Sequence, residues 1–217
     1  MATGAVIALL VQLFLAARLG LSVSTLLPLS ALACLLGLGG AKMYYVATHR
    51  SETVNLVVGM SVQGFVVVAV GTLLVGARLG GLSLGSVLDV TAPGILAGMA
   101  VGRVGCLLGG CCVGRPTASR WGVWSSDRHL GLRRIPVQAI ESGFAATLAL
   151  LAVSANLTWG TAPGGLVFLV TMGAYTAGRQ LLFPLRQIAR TTSHGRIVTL
   201  TISCAVSFAG ILVAILR

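Results

Sequence analysis

The 217-residue sequence is 56% hydrophobic and only 9% charged, with a mean hydropathy of +0.98. So few charged side chains cannot cover a water-facing surface, which excludes a soluble domain, a disordered chain and a coiled coil. Fifteen Lys and Arg residues against four acids give a net charge of +11, but they stand between apolar segments without a nucleic-acid-binding motif. We therefore expect an integral membrane protein whose arginines bind phosphate headgroups, or alternatively set its topology.

Seven apolar segments follow one another along the chain, each about the 20 residues that a helix needs to cross a bilayer. They cover residues 4–24, 27–48, 54–77, 87–113, 136–157, 163–185 and 196–216. The first lacks the basic start and cleavage site of a signal peptide and is interpreted as a retained span. Because lipid cannot satisfy open backbone groups and no strand-like alternation is present, the sequence predicts an all-α bundle of about seven transmembrane helices. We expect one polytopic domain over residues 1–217.

Residues 114–135 are the longest stretch with soluble character. They contain a proline, two tryptophans, an aspartate, a histidine and five arginines. This composition predicts a small interfacial loop that carries part of the functional site, with Trp121 and Trp124 at headgroup depth.

Ionisable residues within or at the ends of the apolar segments are the most informative feature, because each costs at least about 2.5 kcal/mol on insertion scales. They are Lys42, Asp89, Arg103, Glu141 and Arg179. Such a cost indicates either a functional site or ion pairs that hold helices together, for example Asp89 with Arg103 or Glu141 with Arg179.

Glycines are concentrated around Arg103. Gly98, Gly102, Gly105 and Gly109 recur every three or four residues, which predicts a smooth helix side that another helix can approach. The pair at 109 and 110 weakens the helix, and breaks at membrane depth are tolerated where they line a cavity. We expect the site at this cavity.

At these residues the chain resembles the prolipoprotein diacylglyceryl transferase family. The family signature, roughly G-R-x-G-N-F-x-N-x-E-x-x-G-R-P-T followed by W-G-V and R-H-P-x-Q-L-Y-E, is similar to GRVGCLLGGCCVGRPT, WGV and RIPVQAIE here. GLGGAKMYYV at 37–46 resembles the second-span motif G-x-x-G-A-R-x-Y-Y-V. Asp89 with Pro93 matches a D-x-x-x-P element, and Tyr175, Arg179 and Arg186 match a spaced Y, R and R.

The resemblance implies transfer of a diacylglyceryl group from phosphatidylglycerol to the lipobox cysteine of a precursor protein in the bacterial inner membrane, with no cofactor or resident metal. Fixed guanidinium groups would stabilise the departing phosphate. The candidate catalytic residues are Arg103, Arg179 and Glu141, which match family residues, and Cys111, which stands where the family has a glutamate. Glu141 would either orient an arginine or receive a proton. The candidate substrate-binding residues are Gln63, Gly64, Asp89, Cys106, Gly114, Arg115, Gln138 and Arg186.

The chain departs from the family pattern where proton-transfer groups are expected. Cys106 and Gly109 replace the signature asparagines, Cys111 replaces the glutamate, Gln63 replaces a histidine and Phe183 replaces a later glutamate. A non-catalytic or transport-type protein that binds anionic phospholipid headgroups is therefore the alternative function. His129 and Asp127 are either replacement bases or surface residues.

The role of the cysteines near Arg103 also has two possible interpretations. Cys111 is either a reactive thiolate in a basic pocket or, with Cys106 and Cys112, a small packing residue. Metal binding has weak support from the spacing, because structural zinc sites need four ligands and this cluster supplies three.

The orientation in the membrane is open. The family arrangement places the N-terminus and the arginine-rich stretches at 114–135 and 186–196 outside, whereas the positive-inside rule places those stretches in the cytoplasm. We favour the family orientation slightly, because headgroup-binding arginines need not follow the rule.

Overall fold

The computed structural model describes residues 2–48, 61–124, 131–161, 164–187 and 195–215. Within them the chain forms seven α-helices, as the hydropathy pattern predicts. These are α1 (Ala2–Arg18), α2 (Val23–Thr48), α3 (Val62–Leu79), α4 (Leu84–Leu108), α5 (Val137–Trp159), α6 (Leu166–Leu182) and α7 (Gly195–Ile215). A 3-10 turn, Phe183–Leu185, extends α6.

Five of these helices, α2 and α4 to α7, are long and apolar enough to cross a membrane, where the α6 span includes the 3-10 turn. The other two, α1 and α3, are apolar but shorter in the described residues. Many large apolar side chains on the helices face outward, among them Leu35, Val67, Leu150 and Phe208. A surface of this kind needs lipid as its solvent, so the prediction of an all-α multi-pass membrane protein is confirmed.

Helix α4 lies at the centre of the bundle, packed against α1, α5 and α6, while α2 pairs with α3 and α6 with α7. The contact with α1 is close because Gly98 faces Gly4: a Cβ on Gly98 would lie 2.6 Å from the Gly4 carbonyl oxygen. The predicted glycine stripe is only partly right, since a Cβ on Gly102 or Gly105 would meet nothing within 4 Å. Contact with α1 instead continues towards Gly94, one turn before Gly98.

Helix α4 ends at Leu108, so the predicted apolar span over 87–113 is five residues too long. Gly109 caps the helix and Gly110 adopts a left-handed backbone, with φ 69°. Cys112, with φ 55°, is the one described non-glycine residue that also has a positive φ. The break at the two glycines is therefore confirmed, and it places Cys111 and Cys112 outside the helix, while Cys106 stays within it.

The segment after this break forms a small layer of extended chain. Strands β1 (Val123–Trp124) and β2 (Arg133–Arg134) pair antiparallel. The Arg115 N–H donates to the Leu185 carbonyl (2.8 Å), and the Arg115 carbonyl accepts from the Ile135 N–H (3.0 Å). Residues 113–117 are thus held between β2 and the end of α6, which places this layer directly over the ends of α4, α5 and α6.

Candidate functional site: arginines around a buried carboxylate

Glu141 is completely buried and is the centre of an ion-pair cluster. Its Oε1 accepts from Nη2 of Arg103 at 2.9 Å and from the Tyr175 hydroxyl at 2.7 Å. Its Oε2 accepts from Nη2 of Arg186. Nε of Arg179 lies farther away, 3.9 Å from Oε1. The sequence-based pairing of Glu141 with Arg179 is therefore a peripheral part of a larger cluster.

Helices α4, α5 and α6 all contribute to this cluster because they pack against one another at this level. Arg103 is in the last two turns of α4, Glu141 is in the first turns of α5, and Tyr175 and Arg179 are one turn apart on α6. The Ser142 hydroxyl donates to the Ala100 carbonyl at 2.7 Å, which fixes α5 against α4 beside Glu141. Tyr175 was noticed in the sequence only as part of a motif, and the structure gives it a direct bond to the central carboxylate.

The cluster carries an excess of positive charge. Three guanidinium groups share one carboxylate, and the two described acids are Glu141 and the distant Asp89. Burial, followed by the charge of Arg103, lowers the pKa of Arg186, although an arginine so close to a carboxylate stays protonated. Nε of Arg186 is buried and has no hydrogen-bond partner among the described residues. The centre therefore has unused capacity to bind an anion.

Access to this centre differs between the arginines. The Arg186 side chain is 3% exposed, that of Arg103 is 13% exposed and that of Arg179 is 35% exposed. Arg186 is therefore an internal partner of Glu141, whereas Arg179 forms the outer edge of the cluster. An anion that approaches from the surface would meet Arg179 first.

Gly114, Arg115 and Gln138 connect the segment beside the cluster to its neighbours through hydrogen bonds to main-chain groups. Gly114 bridges to Arg186, and a Cβ on Gly114 would lie 2.1 Å from the Ile135 carbonyl oxygen, so this close approach requires glycine. Arg115 is exposed, and its backbone forms the hydrogen bonds described above.

Two side chains also bind the backbone of this segment. Nε2 of Gln138, which lies one turn before Glu141 on α5, donates to the Cys111 carbonyl at 2.9 Å. Sequence reasoning missed Arg134, whose Nη1 donates to the Gly114 carbonyl at 3.2 Å.

A small hollow opens beside this loop. It is open to solvent, and its lining includes Leu107, Gly114, Trp124 and Gln138. It lies next to the helix break, where the sequence predicts a cavity, but Glu141 and its arginines do not line it.

The thiols of Cys106, Cys111 and Cys112 lie together beside the cluster, with every Sγ within 4.8 Å of the others. Cys106 is buried and Cys111 is exposed. A hydrogen bond with Cys106, then partial burial and the other two thiols, raise the pKa of Cys111 to about 11. Of the two interpretations of Cys111, the raised pKa favours a protonated packing residue over a thiolate, because the neighbouring thiols and partial burial raise the pKa.

Asp89 is not part of the arginine cluster. It lies 14 residues before Arg103 on α4, roughly 21 Å along the helix axis. Its carboxylate accepts from the Gly165 N–H at 2.7 Å and the Phe168 N–H at 2.9 Å, which satisfies the first turn of α6. The predicted Asp89–Arg103 ion pair is therefore wrong, and a substrate-binding role for Asp89 has no support from its contacts.

Gly64 is explained by helix packing. A Cβ on Gly64 would lie 2.3 Å from the Gly40 carbonyl oxygen, so the two glycines let α2 and α3 meet. The side chain of Gln63 and the possible bases Asp127 and His129 lie outside the described residues, and their roles stay predictions.

These features define a multi-pass α-helical membrane protein whose helix ends enclose a carboxylate surrounded by arginines. The family model of prolipoprotein diacylglyceryl transferase matches residues 1–217, and the chain belongs to that family. The resemblance seen in the sequence motifs is thereby confirmed.

Curated relatives carry a more specific name. Two proteins from strains of Dehalococcoides mccartyi, both named phosphatidylglycerol-prolipoprotein diacylglyceryl transferase, are 38% and 36% identical to this chain over 125 residues. Each match covers 56% of this chain and 47% of the relative. The chain thus spans about half the length of the curated relatives that it matches.

Proposed function

We propose that this protein transfers the diacylglyceryl group of phosphatidylglycerol to the lipobox cysteine of a prolipoprotein in the bacterial inner membrane. The names of the relatives support the choice of phosphatidylglycerol and a prolipoprotein as the substrates. The observation that carries the proposal is the cluster of three arginines around one buried carboxylate, which leaves guanidinium groups free for a phosphate.

The reaction breaks the bond between the glyceryl carbon and the phosphate oxygen of phosphatidylglycerol. The cysteine sulfur forms a thioether to that carbon, the thiol proton leaves, and glycerol phosphate departs with the electron pair. Negative charge grows on the phosphate oxygen as the bond breaks, so guanidinium groups fixed in a dry site stabilise the transition state more than the substrate. Arg179 and Arg103 are the candidates for this contact, because both are more accessible than Arg186.

Glu141 then serves as a positioning residue. Both of its carboxylate oxygens already accept hydrogen bonds from arginine or tyrosine side chains. A carboxylate engaged in this way orients the guanidinium groups and is poorly placed to take the thiol proton. Of the two roles that the sequence left open for Glu141, orientation has the structural support.

Residues 114–135 complete the site in this proposal, within a single membrane domain over 1–217. Trp121 and Trp124 are exposed beside Arg120 and Arg133, with guanidinium-to-ring distances of 5.1 and 5.4 Å. Amphipathic aromatic rings and arginines of this kind suit the headgroup region. We therefore assign this layer to the membrane interface, where the phosphatidylglycerol headgroup lies.

The test incubates the purified protein with labelled phosphatidylglycerol and a lipobox peptide, and measures glycerol phosphate and lipidated peptide. We expect turnover in the wild type and a loss of at least about 100-fold in Arg103→Ala, as for other preorganised donors. Arg103→Lys should also fail where a bidentate phosphate contact is required. Arg78→Ala, at the exposed end of α3, is the matched control. Normal turnover in both Arg103 variants would refute the assignment.

One observation favours the alternative of a non-catalytic lipid-binding protein. Among the described side chains, both acids are engaged in hydrogen bonds and Cys111 has a raised pKa, so none is a ready base for the incoming thiol. Under this alternative, the wild type binds phosphatidylglycerol with the same dependence on Arg103 but releases no glycerol phosphate. Binding and turnover measured on one preparation separate the two functions.

A further inference from the structure

The three thiols next to the arginine cluster form a group of metal-binding geometry. Cys106 is at the end of α4, and the turn at Gly109 and Gly110 brings the chain back so that the Cys111 N–H donates to the Cys106 carbonyl at 3.1 Å. The left-handed backbone of Cys112 follows directly. All three Sγ atoms are within 4.8 Å of one another.

We propose that Cys106, Cys111 and Cys112 bind one thiophilic metal ion, Cu⁺ or Zn²⁺, through three thiolates. Soft sulfur ligands select these two ions among the common metals. With metal–sulfur bonds of about 2.3 Å, three sulfurs around one ion lie about 4 Å apart. The distances between the three Sγ atoms therefore need to shorten by about 1 Å or less, and the exposed side chains of Cys111 and Cys112 can move by that amount.

The neighbouring charges favour the bound form. Three thiolates with Cu⁺ or Zn²⁺ make an anionic complex, and Arg186 pairs through its backbone with Gly114, two residues after Cys112. Arg103 is on the same helix, one turn before Cys106. The arginine cluster has more positive charges than the described acids neutralise. This excess would compensate the negative charge of the metal–thiolate complex.

Binding requires the thiols to give up their protons to solvent, while no group is oxidised or reduced. Because thiols bind a metal ion as thiolates and release their protons, the apparent metal affinity should rise with pH. Within the described part of the chain, the group contains only these three ligands. Cu⁺ accepts three thiolates as a complete ligand set, and Zn²⁺ would keep a fourth, open position.

The experiment titrates the reduced, purified full chain with Cu⁺ under anaerobic conditions against a chromophoric chelator, and separately with Zn²⁺. We expect one ion per chain, and three sulfur neighbours by X-ray absorption. Cys111→Ser should weaken the affinity at least about tenfold. Since Cys111 is exposed, this variant should fold normally, which a matching thermal transition would verify. The double variant Cys34→Ser, Cys204→Ser is the matched control and should bind as the wild type does.

The proposal is overturned where neither ion binds the wild type more tightly than it binds Cys111→Ser, or where absorption shows nitrogen and oxygen ligands instead of sulfur. It is equally overturned where the variant lacking Cys34 and Cys204 loses the metal. These measurements do not depend on lipid transfer, so the metal site and the proposed function can fail separately.

Discussion

Arg186 and Glu141 lie 45 residues apart in the sequence and form an ion pair in the protein interior, with both side chains almost completely buried. Such a pair contributes little net stability, because taking two charges out of water costs about as much as their attraction returns. Removing one partner is different, since it leaves the other charge buried and alone. The pair therefore specifies how the start of α5 packs against the segment after α6, because other packings would leave one of the two charges buried without its partner.

The first prediction concerns Glu141→Gln. The neutral amide leaves Arg103 and Arg186 facing one another, so we expect the free energy of unfolding to fall by about 3–5 kcal/mol. Chemical denaturation in detergent micelles measures the loss. Adding Arg186→Met should recover part of the stability, because it removes the stranded buried charge. A double variant that is less stable than Glu141→Gln alone would contradict this account.

The second prediction uses the other described acid. Asp89→Asn weakens the two hydrogen bonds to the start of α6, and we expect a loss of about 0.5–2 kcal/mol, as for other helix caps. Affinity for phosphatidylglycerol should stay within about twofold of the wild type in binding to labelled lipid vesicles. A marked loss of lipid affinity in a folded Asp89→Asn protein would restore the substrate-binding role that the sequence motif suggests.

The contrast between these two acids shows what the sequence could predict. Hydropathy predicted the helices, and the motif singled out Arg103, Glu141 and Arg179, because apolar length and residue spacing are local properties. Of the partners of Glu141, only Arg179 was proposed from the sequence. Arg186 and Tyr175 were not predictable as partners, because such contacts depend on how helices cross and where the chain turns. Arg186 reaches Glu141 from the end of the 3-10 turn after α6, a direction that spacing does not encode.

The contact of Asp89 with the start of α6 has a signal in the sequence. Helix α6 begins after Gly165, which has no side chain to cap it, so its first N–H groups need an acceptor from elsewhere. An unpaired aspartate in a neighbouring span is a natural supplier. The Cys111 pKa could not have been found in this way, since it depends on three thiols that meet only after the Gly109–Gly110 turn.

The third prediction tests the close contact at Gly114. In Gly114→Ala the new Cβ would overlap the Ile135 carbonyl, a backbone atom that cannot move independently, so we expect a loss of about 1–3 kcal/mol. Turnover should fall as well, because residues 113–117 position the chain beside Arg186. Gly143→Ala is the matched control: its Cβ meets nothing, and a helical alanine adds stability. Equal stability of the two variants, measured by thermal unfolding, would contradict this contact.

The fourth prediction is a pH profile of thiol reactivity. With a pKa of about 11, Cys111 is almost entirely protonated at pH 8, so its alkylation by iodoacetamide should be much slower than that of a free cysteine with a pKa of about 8.5. The rate should still be rising at pH 10, as the thiolate forms. Mass spectrometry of the peptide containing Cys111 follows the rate. Fast alkylation at pH 7 that does not change with pH would support the thiolate that the sequence suggested.

The fifth prediction concerns which side of the membrane holds the site. Ser119 is exposed in the layer beyond the C-terminal end of α4, and Ser83 is exposed at the N-terminal end of the same helix. The 25 residues of α4 span about 38 Å, more than the roughly 30 Å of hydrocarbon, so the two serines should face opposite sides. In a background with all five cysteines replaced by serine, Ser119→Cys and Ser83→Cys make a matched pair.

With the site facing outside, as the family arrangement implies, an impermeant maleimide should label Ser119→Cys in intact cells and Ser83→Cys only after lysis. The reverse result would place the arginine-rich layer in the cytoplasm, in agreement with the positive-inside rule. Exported prolipoproteins could then not reach the site, and the acceptor in the proposed function would be wrong. Labelling of both positions in intact cells would show that α4 does not span the membrane, because two sites at opposite ends of a spanning helix cannot share one side.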